Sequence, residues 1–395
     1  MRATTIAFWG SAGLLVYTQA GYGVLLAGID ALRTRRGPGL RAEATGQPPA
    51  GAPEQPPPGP ERLPSVTVIV PAYAEEQVIG RRVANLRELD YPAARLEVIV
   101  ACDGSPDATA QRAREAGADA VLELPRGGKI RAQDAGVRQA RGEIVAFSDA
   151  NAQWEPDALR ALVRPFEDPR VGYVCGEVRF FDNDDTNQEG LYWRYEMWLR
   201  ALESRLRSVT GGNGAIYATR RESYIEVDPI MGHDLSFPFN MVKRGWRAVY
   251  APDALSIEKM VPSIEGEFAR KRRMMSHGWP IVVRGGLLSP RGYDPLYALM
   301  IVSHRALRYA SPLLHAVALG TSLALALERG GGLYRAPVAA QLALLAAALL
   351  APRVRARPLL IARYYVLTTV SLAAGLWDWL TEGTDAGWEP AAGTR

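Results

Sequence analysis

Residues 147–159 of this 395-residue chain read FSDANAQWEPDAL. The run that leads in, GEIVAF, is apolar after its first two residues and predicts a short buried strand. Asp149 and Asn151 follow, separated by one alanine, so an extended chain projects both side chains to the same side. EPDAL then opens a helix. A carboxylate and an amide at the end of a buried strand, with a helix behind them, suggest a ligand site and not a piece of core.

The upstream sequence repeats this alternation. SVTVIVPAY (65–73) is a β-branched run stopped by proline. EEQVIGRRVANLREL follows with helical spacing at Val78, Val83, Leu86 and Leu89. LEVIVACDGS (96–105) is a second strand ending at Asp103, DATAQRAREAGA a helix, AVLEL a strand, GGKIRAQDAGVRQARG a helix, and EIVAFSDAN the next strand. Such alternation predicts an α/β fold with a mostly parallel sheet covered on both faces. Ligands in these sheets bind beyond the carboxyl ends of the strands, where Asp103 and Asp149 stand. A nicotinamide-binding domain requires G-x-G-x-x-G after the first strand. This chain has PAYAEEQVIG there, and its GGNG (211–214) comes far too late.

Composition narrows the class. Net charge is +4, too small by itself to imply a nucleic-acid partner. The two cysteines, Cys102 and Cys175, form no C-x-x-C, and the four histidines show no H-E-x-x-H spacing. Mean hydropathy is near zero despite 22% charged residues, so apolar residues are concentrated somewhere. Thr4–Ile29 carries no charge and exceeds the roughly 20 residues that span a bilayer. A signal peptide would have a shorter apolar core, about 7–15 residues, after a basic start. Here only Arg2 precedes the run while Arg33, Arg35 and Arg36 follow it, which favours an uncleaved anchor.

Three further apolar runs lie near Ala306–Leu327, Leu333–Leu350 and Leu359–Leu380. Positive residues mark the cytoplasmic side. Arg33–Arg36 and Arg353, Arg355 and Arg357 both fall inside if the N-terminus is outside, which puts the acidic tail TEGTDAGWEP outside. The expected organisation is an anchor (1–32), a proline-rich cytoplasmic linker (33–64), a cytoplasmic domain (65–295), three transmembrane helices (296–382) and a tail (383–395).

From about Val66 to Trp279 the chain resembles the family 2 glycosyltransferases, membrane-anchored enzymes with a nucleotide-diphospho-sugar transferase domain of the GT-A type. VIVPAYAEE is similar to the family's first strand and Pro-Ala-Tyr-Asn-Glu loop, with Ala74 for the asparagine. CDGS resembles Asp-Asp-Gly-Ser, keeping Asp103 and placing Cys102 at the first aspartate. GGKIRAQDAG keeps Lys129 of a Gly-Lys stretch, and SDAN stands at the Asp-x-Asp motif. GHDLSF stands where Glu-Asp-x-x-Leu occurs, with Asp234 at the catalytic-base position. In FARKRRMMSHGWP (268–280), where processive members carry Gln-x-x-Arg-Trp, Arg270 replaces glutamine, Arg273 matches and Met274 replaces tryptophan. The order and spacing of these motifs make the match specific.

The resemblance implies roles for individual residues, several with a plainer alternative, such as a helix-terminus charge for Glu75 and a flexible turn for the glycines at 211–214. Asp149 and Asn151 would hold a Mg2+ or Mn2+ ion on the donor diphosphate, hard oxygen ligands suiting a hard cation. The alternative is an N-cap pair for the following helix. Asp103 would meet the nucleotide, or else form an Asx turn with Gly104. Lys129 would approach the diphosphate, or sit solvated at a helix start. Pro71, Tyr73 and Glu75 would line the nucleotide pocket. Gly212 and Asn213 would border the acceptor, glycine allowing close backbone approach. Arg270 and Arg273 would neutralise phosphate, or belong to an interfacial basic helix. Trp279 would replace the missing acceptor-stacking aromatic. His233 is given no role, because in an extended segment it points away from Asp234. Asp234 itself would take the acceptor proton, or cap a helix beginning near Leu235. Leu191, Tyr195, Trp198, Leu202 and Leu206 form a helical stripe read as core or membrane-surface packing.

The expected protein is therefore a multi-pass inner-membrane, inverting hexosyltransferase of the cell envelope. Its partners are a nucleotide-sugar donor, UDP-linked, a lipid-linked or saccharide acceptor and the bilayer, with no nucleic acid. The alternatives are a processive synthase in polysaccharide biosynthesis and a catalytically silent nucleotide-sugar-binding scaffold.

Overall fold

The computed structural model describes residues 2–35, 63–181, 189–259, 264–329, 332–354 and 356–387. Most of the proline-rich stretch lies outside the described residues, as do Arg36, Arg355 and the end of the tail.

The chain opens with α1 (Arg2–Val16) and α2 (Tyr22–Arg35), joined by a π-helical turn, Tyr17–Gly21. The domain that follows is built on one eight-stranded sheet in which the strands, counted along the chain, lie in the order third, second, first, fourth, seventh, sixth, eighth, fifth. Strand β1 (Val66–Ala72) is buried at every position, which a run with no polar alternation requires. Helix α3 (Ile79–Arg87) leads to β2 (Leu96–Asp103), α4 (Thr109–Glu115) to β3 (Ala120–Leu124), and α5 (Lys129–Gln139) to β4 (Ile144–Phe147). These four strands are parallel, with Val66 level with Leu96 on one side and Ile144 on the other.

Beyond β4 come β5 (Gln153–Trp154), α6 (Ala158–Val163), β6 (Val171–Phe181), α7 (Glu189–Leu206) and β7 (Tyr217–Arg220). Helix α8 (His233–Lys243) then leads to β8 (Arg247–Lys259). β7 is antiparallel to both β4 and β6, and β5 to β8, while β6 and β8 are parallel. The sheet is mostly parallel, as the alternation predicts, with β7 and β5 reversed.

The period of two along β1 divides the core. Val66, Val68 and Val70 join Val83, Leu86 and Trp154 on one face, and Ile69 joins Phe147, Tyr217 and Phe237 on the other. A side chain such as Leu86, fully buried, contributes about 1.5–3 kcal/mol. A third cluster unites Tyr22 and Leu26 with Leu202 and Leu206 of the stripe and with Ile281, Tyr297 and Leu372. One apolar core thus runs from the domain into the flanking helices.

Those helices are α9 (Ile264–Val283), α10 (Pro295–Met300), a second π turn (Ile301–Ala306), α11 (Leu307–Tyr309), α12 (Ser311–Arg329), α13 (Gly332–Val354) and α14 (Arg357–Thr381). Among the described residues, four stretches are long and apolar enough to cross a membrane: Arg2–Arg35, Ser311–Glu328, Gly332–Val354 and Arg357–Thr381. The second starts later than expected, because Arg308 belongs to the short helix α11 before it.

The placement of the tail differs from the reading of the sequence. The charge rule put it on the side opposite the domain. Instead α14 packs along the basic helix α9, with Arg272 paired to Asp378 at 2.6 Å. Beyond α14, the Thr384 hydroxyl donates to the Ser276 carbonyl at 2.9 Å, and His277 Nε2 meets the Asp385 carbonyl at 3.1 Å. An ion pair and two hydrogen bonds to α9 outweigh a count of spans, and the tail returns to the domain.

Candidate active site

The strand ends converge as expected, but several side chains hold the loops instead of facing open space. Asp103, at the end of β2, is 1% exposed. Its carboxylate accepts from the Gly127 N–H at 2.6 Å, from Gly128 N–H at 2.9 Å and from Arg126 Nη1 at 2.9 Å. It fixes the loop that starts α5, and forms no Asx turn with Gly104. Pro71 is buried inside β1, level with Ala101. Glu75 is buried too, its N–H donating to Thr109 Oγ1 at 2.8 Å.

A cavity of about 590 Å3 opens over this loop, lined by Tyr73, Arg126, Gly127, Gly128, Arg131, Arg273, Asp385, Ala386 and Gly387. The Arg126 guanidinium stacks 3.3 Å above the Tyr73 ring. Gly128 has φ +97°, and a Cβ there would lie 2.2 Å from the Ala386 carbonyl oxygen, so the tail seats against bare backbone. Of the two arginines singled out on α9, Arg273 faces this cavity, whereas Arg270 pairs with Glu267 at 2.7 Å.

Deeper in, Lys129 pairs with Asp149 beside Gly214. Burial opposes the Lys129 ammonium, but Asp149, Asp234 and Glu258 outweigh it and hold its pKa above the ordinary lysine value. Glu258, near the end of β8, is a residue that sequence reading missed. Burial, then the Asp149 charge, pushes its pKa up to about 7, and its buried Oε1 has no hydrogen-bond donor. Buried Arg82 faces the same two carboxylates. Asp149 and Asn151 do not cap a helix, because α6 starts only at Ala158, with Asp157 at its N-cap.

Asp234 is the second residue of α8, whose N-cap is Gly232 with no side-chain cap bond. Its carboxylate accepts no hydrogen bond among the described residues and acts on Lys129, Tyr217 and Tyr309. The helix therefore begins earlier than Leu235, and the capping role expected as the alternative is not realised. Its carbonyl accepts from Gly212 N–H at 2.6 Å, so the glycine loop and Asp234 are tied together. A Cβ on Gly212 would lie 2.0 Å from the Tyr173 hydroxyl. Asn213 is a loop staple, donating to the Gly176 carbonyl at 2.7 Å and accepting from Ile216 N–H at 2.9 Å.

His233 is helical, not extended. It is buried under Asp234, stacked on Phe237 at 3.9 Å, with Nδ1 2.8 Å from the Tyr217 hydroxyl. Burial and then Lys129 hold its pKa well below the ordinary histidine value. Trp279 donates from Nε1 to the Leu372 carbonyl at 2.8 Å and packs edge-on against Tyr309 at 5.0 Å. It pins α9 to α14.

Two predictions arise here. Deleting residues 384–395 uncovers Arg126, Gly128 and Arg131. Peptide 124–131 is expected to exchange hydrogen severalfold faster with the melting temperature unchanged. An unchanged exchange rate would mean that the tail only rests on the pocket. The second concerns Glu258. Between its ordinary value of 4.5 and about 7, the folded chain keeps a proton that the unfolded chain has released, so stability falls as pH rises through that window. Glu258→Gln removes that slope. In chelator, the variant should melt higher than the parent at pH 8 and match it at pH 4.5. Equal differences at both pH values would remove Glu258 from this account.

Residues 67–227 match the model of a family described as glycosyl transferase family 2. An N-acetylglucosaminyltransferase of Rhizobium sp. is 27% identical over 238 residues, 54% of this chain and 52% of that one. A beta-monoglucosyldiacylglycerol synthase of Trichormus variabilis is 37% identical over 165 residues, 39% of this chain and 34% of that one. The chain spans about half the length of the N-acetylglucosaminyltransferases it matches. Among solved structures, a mannosyltransferase from Pyrobaculum calidifontis, in complex with GDP-Man and Mn2+, superposes with a TM-score of 0.68 at 26% identity. That match covers 96% of this chain and 97% of that one.

Proposed function

We propose that the family 2 glycosyltransferase domain carried at residues 67–227 makes this chain a membrane-bound inverting glycosyltransferase. It moves a sugar from a nucleoside-diphosphate donor to a hydroxyl on a lipid-linked or saccharide acceptor. The observation that carries this reading is the cluster of Asp149, Glu258 and Asp234 around Lys129, next to a cavity walled by Tyr73, Arg126 and Arg273.

In this reading the nucleotide lies against Tyr73 and the Gly127–Gly128 backbone, with Asp103 holding that loop in place. Lys129 and Arg273 face the diphosphate. Asp234 stands beside the Gly211–Asn213 loop, where the acceptor enters. The acceptor oxygen forms a bond to the sugar's anomeric carbon as the carbon–phosphate-oxygen bond breaks. The electron pair leaves with the diphosphate, and Asp234 takes the hydroxyl proton.

A divalent cation fits this donor set. Asp149, Glu258 and the Asn151 amide offer hard oxygens, and Glu258 has a buried oxygen with no donor. No group of three His, Cys, Asp or Glu side chains able to hold an ion occurs among the described residues, so Asp149, Glu258 and Asn151 would hold the ion only together with oxygens from outside the chain. When bound, the ion supplies charge stabilisation to the leaving diphosphate.

The anomeric configuration of the product tests the reading. A donor with an α-linked sugar should give a β-linked product by NMR, and retention of configuration would contradict it. A single added sugar would separate this enzyme from a processive synthase.

A further inference from the structure

We propose that His304 and Glu203 are positioning residues for transfer, locking the Thr210–Gly212 loop, and through it Asp234, to the first apolar stretch and to the helical segment just before the second. The inference rests on the glycosyl-transfer reading above.

Glu203 lies on α7 and is 1% exposed. One carboxylate gathers three elements. It accepts from the Tyr22 hydroxyl of α2 at 2.6 Å, and from the Thr210 N–H and hydroxyl at 3.0 Å each. It also meets His304 Nδ1 at 2.7 Å. The other ring nitrogen of His304 faces Glu196 at 3.3 Å, and Glu196 is held by Arg308 at 2.7 Å. Arg305 Nε donates to the Thr210 hydroxyl at 3.0 Å. A Cβ on Gly211 would lie 2.3 Å from that guanidinium, so the Arg305 side chain lies directly against the loop backbone. Gly212 then donates to the Asp234 carbonyl at 2.6 Å, and Arg200 donates to the Gly212 carbonyl at 3.0 Å. The path runs from Tyr22 and His304 through Glu203, Thr210 and Gly212 to Asp234 without a gap.

A second observation points the same way. Both flanking helices leave α-helical geometry where they meet this network. The π turn Tyr17–Gly21 ends just before Tyr22, and the π turn Ile301–Ala306 contains His304 and Arg305. The two touch, Tyr17 to Ser303 at 2.8 Å between hydroxyls. The wider turn lets the consecutive residues Ser303 and His304 both be buried. Such turns weaken the helix ladder and recur at functional sites. Buried ion pairs are also a poor way to add stability, since an apolar contact of equal volume does as well without desolvating charge. What this network adds is fixed position for a loop that borders the acceptor.

The test uses the full-length chain in detergent. His304→Gln, Thr210→Val and Thr210→Ser are compared with the parent in three measurements. These are UDP and GDP binding, turnover of whichever sugar nucleotide the parent uses, and hydrogen exchange of peptides 207–216 and 66–72. In His304→Gln and Thr210→Val, turnover should fall by about 10²-fold, the scale of a 1 Å misplacement. Nucleotide binding and exchange in β1 should stay unchanged, while the loop exchanges faster. Thr210→Ser, which keeps the hydroxyl, should behave as the parent. If His304→Gln loosens β1 as well, Thr210→Val decides. Parental turnover in that variant, or lost turnover with a loop still protected, overturns the proposal. A parent that turns over no sugar nucleotide defeats the transfer reading instead, and the exchange data still judge the lock.

Discussion

Asp234→Asn is expected to lower turnover by about 10²–10⁴-fold while donor binding persists. The substitution keeps size and removes the capacity to take a proton. Loss of a helix cap would cost about 1 kcal/mol and spare turnover. That alternative has no footing, because the N-cap is Gly232 and the Asp234 carboxylate makes no cap bond. The melting temperature should therefore barely move. His233 cannot take over. Its Nδ1 is engaged by Tyr217, and burial and Lys129 hold its pKa well below the ordinary histidine value, which makes it a weaker base. Near-parental turnover with an unchanged melting temperature would leave the mechanism without a base.

Asp149→Ala is expected to abolish cation-dependent turnover. Asp149 is the carboxylate that pairs with Lys129 and raises the pKa of Glu258. Removing it takes away one of two carboxylates offered to the ion and leaves Lys129 facing Glu258 and Asp234. A second readout needs no activity: the pH-dependent loss of stability assigned to Glu258 should shrink, since one of its two main causes is gone. Asn151→Asp, by contrast, should preserve turnover or tighten Mn2+ binding, because a second carboxylate adds charge at the ion. Full activity in Asp149→Ala would remove the cation from this place.

The parallel half of the sheet was legible because buried parallel strands are runs of Val and Ile with no polar face, and VTVIVPA and LEVIVACD admit no other reading. The reversed strands were harder. β7 is only four residues long, and nothing local in YATR tells which neighbour it joins. Lys129, Asp149 and Asp234 were legible as candidates because each sits at a strand end or helix start with a recognisable motif. Glu258 was not, because SIEK carries no such signal and its meaning comes from β8 bringing it beside Asp149. Asp103, Asn213 and Trp279 were legible as candidates but not in the contacts they make within the chain, because a sequence does not reveal that a loop carbonyl or N–H has already claimed a side chain. The tail was misplaced for a related reason. Counting arginines between spans weighs the ends of helices, whereas the α9–α14 contact is made along their lengths by Arg272, Trp279 and Gly375.

The most direct test of the account is nucleotide release by the purified full-length chain. UDP- and GDP-linked sugars are offered one at a time with a membrane lipid extract, with and without Mn2+. The account predicts release of nucleoside diphosphate from one donor class, dependent on the cation and lost in Asp149→Ala and Asp234→Asn. Failure to release nucleotide from any donor, together with failure to bind UDP or GDP in Mn2+, would contradict it.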